Sequence, residues 1–500
     1  MIEIPARQEA DTSMPTMPAA HPRGLYTLFF TEMWERFSYY GMRALLVLFM
    51  VDKVRGGMGL TDEIATSIYG LYTAAVYLAA LPGGWIADRL LGAQRSVWYG
   101  GILIAVGHFT LVIPRTETFY LGLSLVVAGT GLLKPNISAI VGELYPEGGA
   151  RRDAGFSIFY MGINLGAFIG PLICSTLGEK VNWHYGFGAA GVGMVLGLVQ
   201  YRLSRQSLGT SGLHPGQQKP LNGLERAGLF CGVAAVLVIV GLSVAGAVRI
   251  SPVVLARGAK YVIAAMAAVY FICVLLFFGL DKTEKRRVAV IVVLFVAAVL
   301  FWTGFEQVGS SFNLFADRYT ARHLGWFNYE VPAGWFQSLG PIFVITLAPV
   351  MAAVWVRLAR RNLDPSIPVK FGLGLLLLAA GFLVMTAAAR LVAAGHTVWP
   401  TWLINTYLLH TFGELCLSPV GLSSVTKLAP RRLVGQMMGT WFLATSLGNL
   451  IAGLIAGGFS ADAVEQMPAR YFQIVIPPAM AGVLLILLAK PIKRWMAGIR

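Results

Sequence analysis

Glu32, Glu35, Arg36, Tyr39, Tyr40 and Arg43 fall at i, i+3, i+4, i+7, i+8 and i+11 within an otherwise apolar stretch. That is the spacing of one helical stripe. Two carboxylates beside one guanidinium can share and exchange a proton: the arginine favours the ionised form, while burial and like charge oppose it. A purely structural ion-pair cluster, or an interfacial stripe near a helix end, would not need the three charges Glu32, Glu35 and Arg36 and two tyrosines on one face, with Arg43 beyond them. In apolar surroundings the stripe must face a bundle interior or a wet cavity, and ionisable groups at that depth mark function.

Other polar groups interrupt apolar runs in the same way. Lys134 sits mid-run in Gly131-Leu132-Leu133-Lys134-Pro135-Asn136. A buried lysine needs an anion or loses its proton. Glu414 is mid-run near the other end of the chain, with Ser418 one turn on. A lysine from one half and a glutamate from the other can pair across a central cavity, and the same two charges complement a zwitterion. Trp302, Glu306 and Asn313 follow at i, i+4 and i+11, predicting one shared helical face. His410, one turn before Glu414, reads as a core or lining residue rather than a proton relay.

Some chemistries lack their residues. No GxxxxGK[ST] loop points to ATP-driven pumping. The GxGxxG match from Gly186 to Gly191 lies inside an apolar run with no strand before it, so it reads as helix-packing glycine. No HExxH or Cys/His cluster suggests a metal, and no nucleophile–base constellation gathers at one depth, so an enzyme is not expected. Cys174, Cys231, Cys273 and Cys416 lie in apolar runs without a CxxC pair and read as small core residues.

These residues need many spans to hold them. The 500-residue chain is 56% hydrophobic and 13% charged, with a mean hydropathy of +0.68. Apolar runs long enough to cross a hydrocarbon core of ~30 Å recur from residue 25 onward. They predict an all-α polytopic membrane protein with about fourteen spans: 25–51, 64–87, 96–114, 118–144, 153–177, 183–202, 226–248, 259–280, 288–316, 333–357, 369–394, 400–428, 433–458 and 470–490. Basic residues collect in alternate loops, among them Arg151 and Arg152, Lys282 to Arg287, and Arg357 to Arg361. The net charge of +15 therefore reads as the positive-inside rule rather than nucleic-acid binding, and puts both termini in the cytoplasm. Residues 1–24 lack an apolar h-region, so no cleavable signal peptide is expected. The expected organisation is a tail (1–24), a six-helix bundle (25–202), a linker with an inserted helical hairpin (203–287) and a second six-helix bundle (288–500). Segment 317–332 is expected to be the longest external loop.

The first stripe, Glu32 to Gly41, resembles the ExxERFxYYG motif of the proton-dependent oligopeptide transporter family, a branch of the major facilitator superfamily. Residues 83–89 (GGWIADR) resemble the facilitator loop after span two. Residues 159–166 (FYMGINLG) are similar to the family's FYxxINxG signature, and Phe305-Glu306-Gln307 and residues 413–419 (GELCLSP) agree as well. The resemblance implies a major facilitator fold of two six-helix bundles plus two extra helices. It implies symport of di- and tripeptides with protons across a bacterial inner membrane, by alternating access and as a monomer, with no cofactor beyond the coupling proton. It assigns proton coupling to Glu32, Glu35, Arg36 and Glu306. It assigns substrate contact to Tyr39, Tyr40, Arg43, Tyr77, Lys134, Asn164, Trp302, Glu414, Ser418 and Trp441. Lys134 would help bind the peptide carboxylate or poise the site, and Glu414 would take the peptide amine. Glu306 would pair with Arg43 and release it on protonation. Gly340 departs from the pattern, since many relatives carry Asn there. Other substrates in the same fold, such as nitrate or a modified amino acid, and a receptor that senses without transporting, are the competing expectations.

Overall fold

The computed structural model describes residues 20–147, 149–215, 251–325, 328–459 and 461–499, with scattered positions between 222 and 238. The first part of the chain forms α1 (Arg23–Val51), α2 (Asp62–Ile86), α3 (Ala93–Leu111), α4 (Thr116–Glu143), α5 (Gly149–Lys180) and α6 (Trp183–Ser204). Then come α7 (Pro252–Phe277), α8 (Lys282–Phe305), α9 (Ser311–Tyr319), α10 (Leu339–Arg360) and α11 (Ile367–Ala393). The chain ends with α12 (Thr401–Leu428), α13 (Val434–Ala456), α14 (Met467–Leu487) and the short α15 (Ala489–Trp495). Among the described residues, nine helices are long and apolar enough to cross a membrane. The charged α1 is not one of them. The expected span 226–248 falls largely outside the described residues; the others coincide for most of their length with helices, apart from the break in 288–316 described below.

Polar residues set where the apolar helices begin. Thr61 accepts from the Ile64 N–H at the start of α2, and Asn182 accepts from the His184 N–H at the start of α6. Asp281 and Glu284 form a reciprocal capping box on α8. Each supplies an acceptor or donor that a helix end would otherwise lack. Gly186 and Gly191 lie within α6, with no strand before them.

Within the first part α1 packs on α5 and α6, α3 on α4 and α6, and α2 on α4. Within the second, α11 packs on α12 and α14, and α8 on α13, while α7 leans on both α2 and α13. Between the parts, α2 lies along α13, and α5 lies against α10 and the 3₁₀ segment Ala333–Ser338. Hydrogen bonds between the parts gather where α1 and α5 end and α2 begins. Arg318 on α9 forks onto Asp62, both contacts at 2.7 Å. Glu179 at the end of α5 accepts from the backbone N–H groups of Ala333 and Gly334, at 2.7 and 2.8 Å. Asn313 donates to the Ala44 carbonyl at 2.8 Å.

Three expectations need correction. The span 288–316 is not continuous: α8 stops at Phe305, a 3₁₀ turn covers Glu306–Gly309, and Ser310 has φ −124° and ψ −95° before α9 resumes. Trp302, Glu306 and Asn313 therefore do not share one uninterrupted face. The loop 317–332 carries regular structure of its own. Its first residues complete α9, and His323–Leu324 pairs antiparallel with Tyr329–Glu330; Trp326 and Phe327 lie outside the described residues. Finally, Cys231 is exposed and Cys273 only half-buried. Lipid is an apolar neighbour as good as a protein core, so hydrophobicity alone does not bring them inside.

Where α2 meets α13, glycine packs on glycine. A Cβ on Gly453 would lie 2.5 Å from the Thr66 carbonyl oxygen and 2.7 Å from the Gly70 Cα. Gly435, on the same helix, faces open space. Gly453→Leu should therefore cost ~1–3 kcal/mol by overpacking and lower the melting midpoint in detergent. Gly435→Leu should leave the midpoint unchanged or raise it, because leucine is the better helix former. Equal midpoints for the two variants would show that α2 and α13 do not approach this closely.

Candidate functional site

The α1 stripe is buried, as its spacing requires. Glu32, Glu35 and Arg36 are at most 3% exposed. The Arg36 Nε–H donates to Glu32 Oε1 at 2.9 Å. Glu35 Oε2 lies 2.6 Å from the same nitrogen as an ion-pair contact. One N–H cannot point at both carboxylates, so neither Glu35 oxygen has a hydrogen-bond partner among the described residues, nor has Arg36 Nη2. Lys134 on α4 is close enough to feel the charges of Arg36, Glu35 and Glu32. Two cations and two carboxylates thus share one buried region, where the loss or gain of a proton is strongly felt by the rest.

Two turns along, Arg43 reaches across to the second part of the chain. It forms a buried ion pair with Glu306, and its Nε–H donates to the Tyr69 hydroxyl at 2.5 Å. Tyr40 and Tyr69 present their rings to the guanidinium, each 5.6 Å from the ring centroid. Glu306 can meet Arg43 because α8 ends one residue earlier. Gly309 is needed here, since a Cβ on it would overlap the Tyr69 hydroxyl. Tyr39 stacks on Tyr72 at 6.3 Å and lies 5.5 Å from Arg36.

The remaining candidates divide. Lys134 Nζ sits 3.9 Å over the Tyr77 ring, a cation–π contact that partly replaces an anion. No ion pair joins Lys134 to Glu414 among the described residues. Glu414 instead shares its electrostatic surroundings with Glu306, Tyr40 and Tyr160. Its neighbour Ser418 has a buried hydroxyl without a partner, as has the Trp302 indole N–H. Asn164 turns back to donate to the Tyr160 carbonyl of its own helix, at 3.0 Å. Trp441 is 7% exposed and packs over Gly421 and against Phe371. His410 is a core residue, bonded to the Leu378 carbonyl and wedged against Phe382 and Phe312.

Several participants escape a reading of charges alone. Tyr69 and Tyr72 join Tyr77 on α2 at i, i+3 and i+8, an aromatic recurrence that could have signalled them. Tyr160 lies next to the expected Asn164 in the same segment. Glu179 gave no periodic signal, because it stands at a helix end and acts on backbone donors far away in sequence.

Residues 94–473 match the POT family. The chain is 46% identical over 489 residues to the peptide transporter YePEPT of Yersinia enterocolitica, covering 95% of both chains. It is 37% identical to the di-/tripeptide transporter of Lactococcus lactis subsp. cremoris, covering 96% of this chain and 97% of the relative. A crystal structure of a mutant of the peptide transporter POT in complex with alafosfalin has the same fold, with a TM-score of 0.88, 42% identity and 96% of each chain covered. The stripe on α1, the buried arginine it sends to Glu306, and these likenesses along almost the whole length agree: the chain belongs to the POT family and is a multi-pass membrane transporter, not an enzyme.

Proposed function

We propose that this protein carries di- and tripeptides into a bacterial cell with protons, by alternating access. The observation that carries the reading is the buried Arg43–Glu306 pair between the two parts of the chain. The relatives named above for peptide transport, and the alafosfalin complex of one of them, support the substrate class. In this reading the chain has fourteen spans with both termini in the cytoplasm. Residues 25–202 and 288–500 are the rocking halves and 203–287 the inserted hairpin and its linker. The protein works as a monomer, and the proton is its sole coupling agent.

The chemistry follows from the charges. A free peptide is a zwitterion. Its amine takes Glu414 and its carboxylate takes Arg43 and Lys134, so the two cations on one side and the acid on the other orient it across the cavity. While Glu306 is ionised it holds Arg43. A proton on Glu306 discharges the pair, frees Arg43 for the peptide carboxylate and removes one tie between the halves. Glu32, Glu35, Arg36 and Lys134 form a second group whose proton occupancy alters the charge around Lys134. Tyr39, Tyr40, Tyr77, Asn164, Trp302, Ser418 and Trp441 shape the walls around the backbone and side chains of the peptide.

Reconstitution into liposomes with an imposed pH gradient tests this directly. Wild-type protein should accumulate labelled dipeptide against its gradient. Glu35→Gln and Glu306→Gln should each abolish accumulation while retaining part of the downhill counterflow. Accumulation by both variants at the wild-type level would remove these residues from coupling.

Removing the Glu414 carboxylate deletes one charge-assisted hydrogen bond, worth ~1.5–3 kcal/mol or roughly ten- to a hundredfold in affinity. Glu414→Ala should therefore weaken free-amine dipeptides by that factor and leave their N-acetylated counterparts nearly unaffected. The comparison is a competition assay, and equal losses for both would contradict the assignment.

A Cβ on Gly340 meets nothing within 4 Å, so an asparagine fits without strain on its surroundings. Gly340→Asn should tighten dipeptide binding by ~0.5–1.5 kcal/mol, the net worth of one hydrogen bond, and reduce tolerance of bulky side chains. A competition series of small and bulky dipeptides on a folded variant reads this out; unchanged affinities throughout would take residue 340 out of the peptide site.

A further inference from the structure

A cleft of about 410 Å³ opens between α8, α13 and α14, apart from the site described above. Neither Trp302 nor Glu306 lines it. Its walls are apolar, with Val299 and Leu300 from α8 and Ile451 and Ile455 from α13. Two polar residues of α14 join them. Arg470 lies in the first turn of that helix, and Gln473 lies one turn further in and is exposed. Arg470 donates to the Gln466 side chain at 2.9 Å and makes no ion pair with a carboxylate among the described residues. A guanidinium has five N–H donors, so this one bond leaves most of them available. Pro477 and Pro478 also line the cleft. Lacking N–H groups, they deprive the Gln473 and Ile474 carbonyls of their usual helix donors.

The dimensions suit one class of ligand. Arg470 to Pro478 spans ~12 Å along a helix, close to the ~15 Å of hydrocarbon in one leaflet. A cation near the mouth, an amide and free carbonyls beneath it, and an apolar trough beyond repeat the order of phosphate, glycerol esters and acyl chain. Among the described residues the cation is balanced by no ion pair, so a headgroup of net negative charge fits better than one whose own ammonium would face the guanidinium. We propose that this cleft is a binding site for a single anionic glycerophospholipid, with its phosphate on Arg470 and one acyl chain lying against α8 and α13. The site places a lipid chain beside Thr303 and Gly304, just before the break at which α8 gives way to the 3₁₀ turn.

The test uses the purified full chain with equimolar phosphatidylglycerol and phosphatidylcholine, and native mass spectrometry to count retained lipid. Wild-type protein should retain one phosphatidylglycerol with a preference of about fivefold or more. Arg470→Gln should bring the preference to parity. Arg470→Lys keeps the charge and should keep most of the preference, which a folding defect at this position would not allow. Ile455→Trp fills the trough and should reduce retention of both lipids. Phosphatidylglycerol carrying a photoreactive acyl chain should label peptides containing 299–304 or 451–459. Equal retention of the two lipids by wild-type protein, an undiminished preference in Arg470→Gln, or labelling confined to other segments would overturn the proposal.

Discussion

The pairing of Arg43 with Glu306 is the interaction on which the rest of the arrangement depends. A guanidinium and a carboxylate are both taken out of water here, and each is tolerable only because the other is present. Removing one partner from such a pair costs ~3–5 kcal/mol. A single neutral hydrogen bond elsewhere in the seam contributes ~0.5–1.5 kcal/mol. Local structure bends to serve the pair: α8 gives up its regular hydrogen bonding at residue 306, Gly309 makes room for the Tyr69 hydroxyl, and Tyr40 and Tyr69 supply ring faces that blunt the desolvation of the guanidinium.

The two arginines of α1 have different mechanical standing. Arg36 finds both of its carboxylates on its own helix, at 32 and 35. That group travels with the first part of the chain as a unit, whatever the second part does. Arg43 finds its carboxylate on the other side of the seam. Seven residues of one helix thus separate a charge cluster that is internal to one body from a charge pair that belongs to both. Lys134 stands near the internal cluster but on α4, so its surroundings respond to both the state of α1 and the packing between α1 and α4.

Much of this was legible in the sequence, and the reasons are particular. A stripe of ionisable residues at helical spacing in an apolar run has one physical solution, and α1 adopts it with Glu32, Glu35, Arg36 and Arg43 buried together. Apolar length marks helices reliably, so the expected spans coincide largely with helices where the chain is described, 288–316 being the interrupted one. The misses arise where periodicity is silent. The break after Phe305 coincides with contacts to Arg43 and Tyr69 on α1 and α2, and nothing in Phe305-Glu306-Gln307 announces it. Asn313 shows helical spacing from Glu306, yet it bonds to Ala44, because its helix has been re-aimed. Opposite charge suggested that Lys134 and Glu414 meet; in the folded chain Lys134 rests on Tyr77 instead.

The seam has a polarity of its own. Asn313, Trp335, Ser338 and Ser446 all belong to the second part of the chain. They donate from their side chains to the main-chain carbonyls of Ala44, Leu172, Phe168 and Ala74 in the first. A main-chain carbonyl is present whatever residue carries it. On these contacts the main-chain acceptor is free to drift through any side chain that fits (Trp335 alone also reaches a side chain, the Thr176 hydroxyl, at 2.9 Å), while the donor side is confined to residues with an N–H or O–H at the right reach. Being uncharged on both sides, the same contacts are not weakened by dissolved ions as exposed ion pairs are. At these contacts the grip is therefore written unequally into the chain, with its chemical information in the second part and only its shape in the first, whereas Arg43, Asp62 and Glu179 contribute side-chain chemistry from the first part elsewhere in the seam.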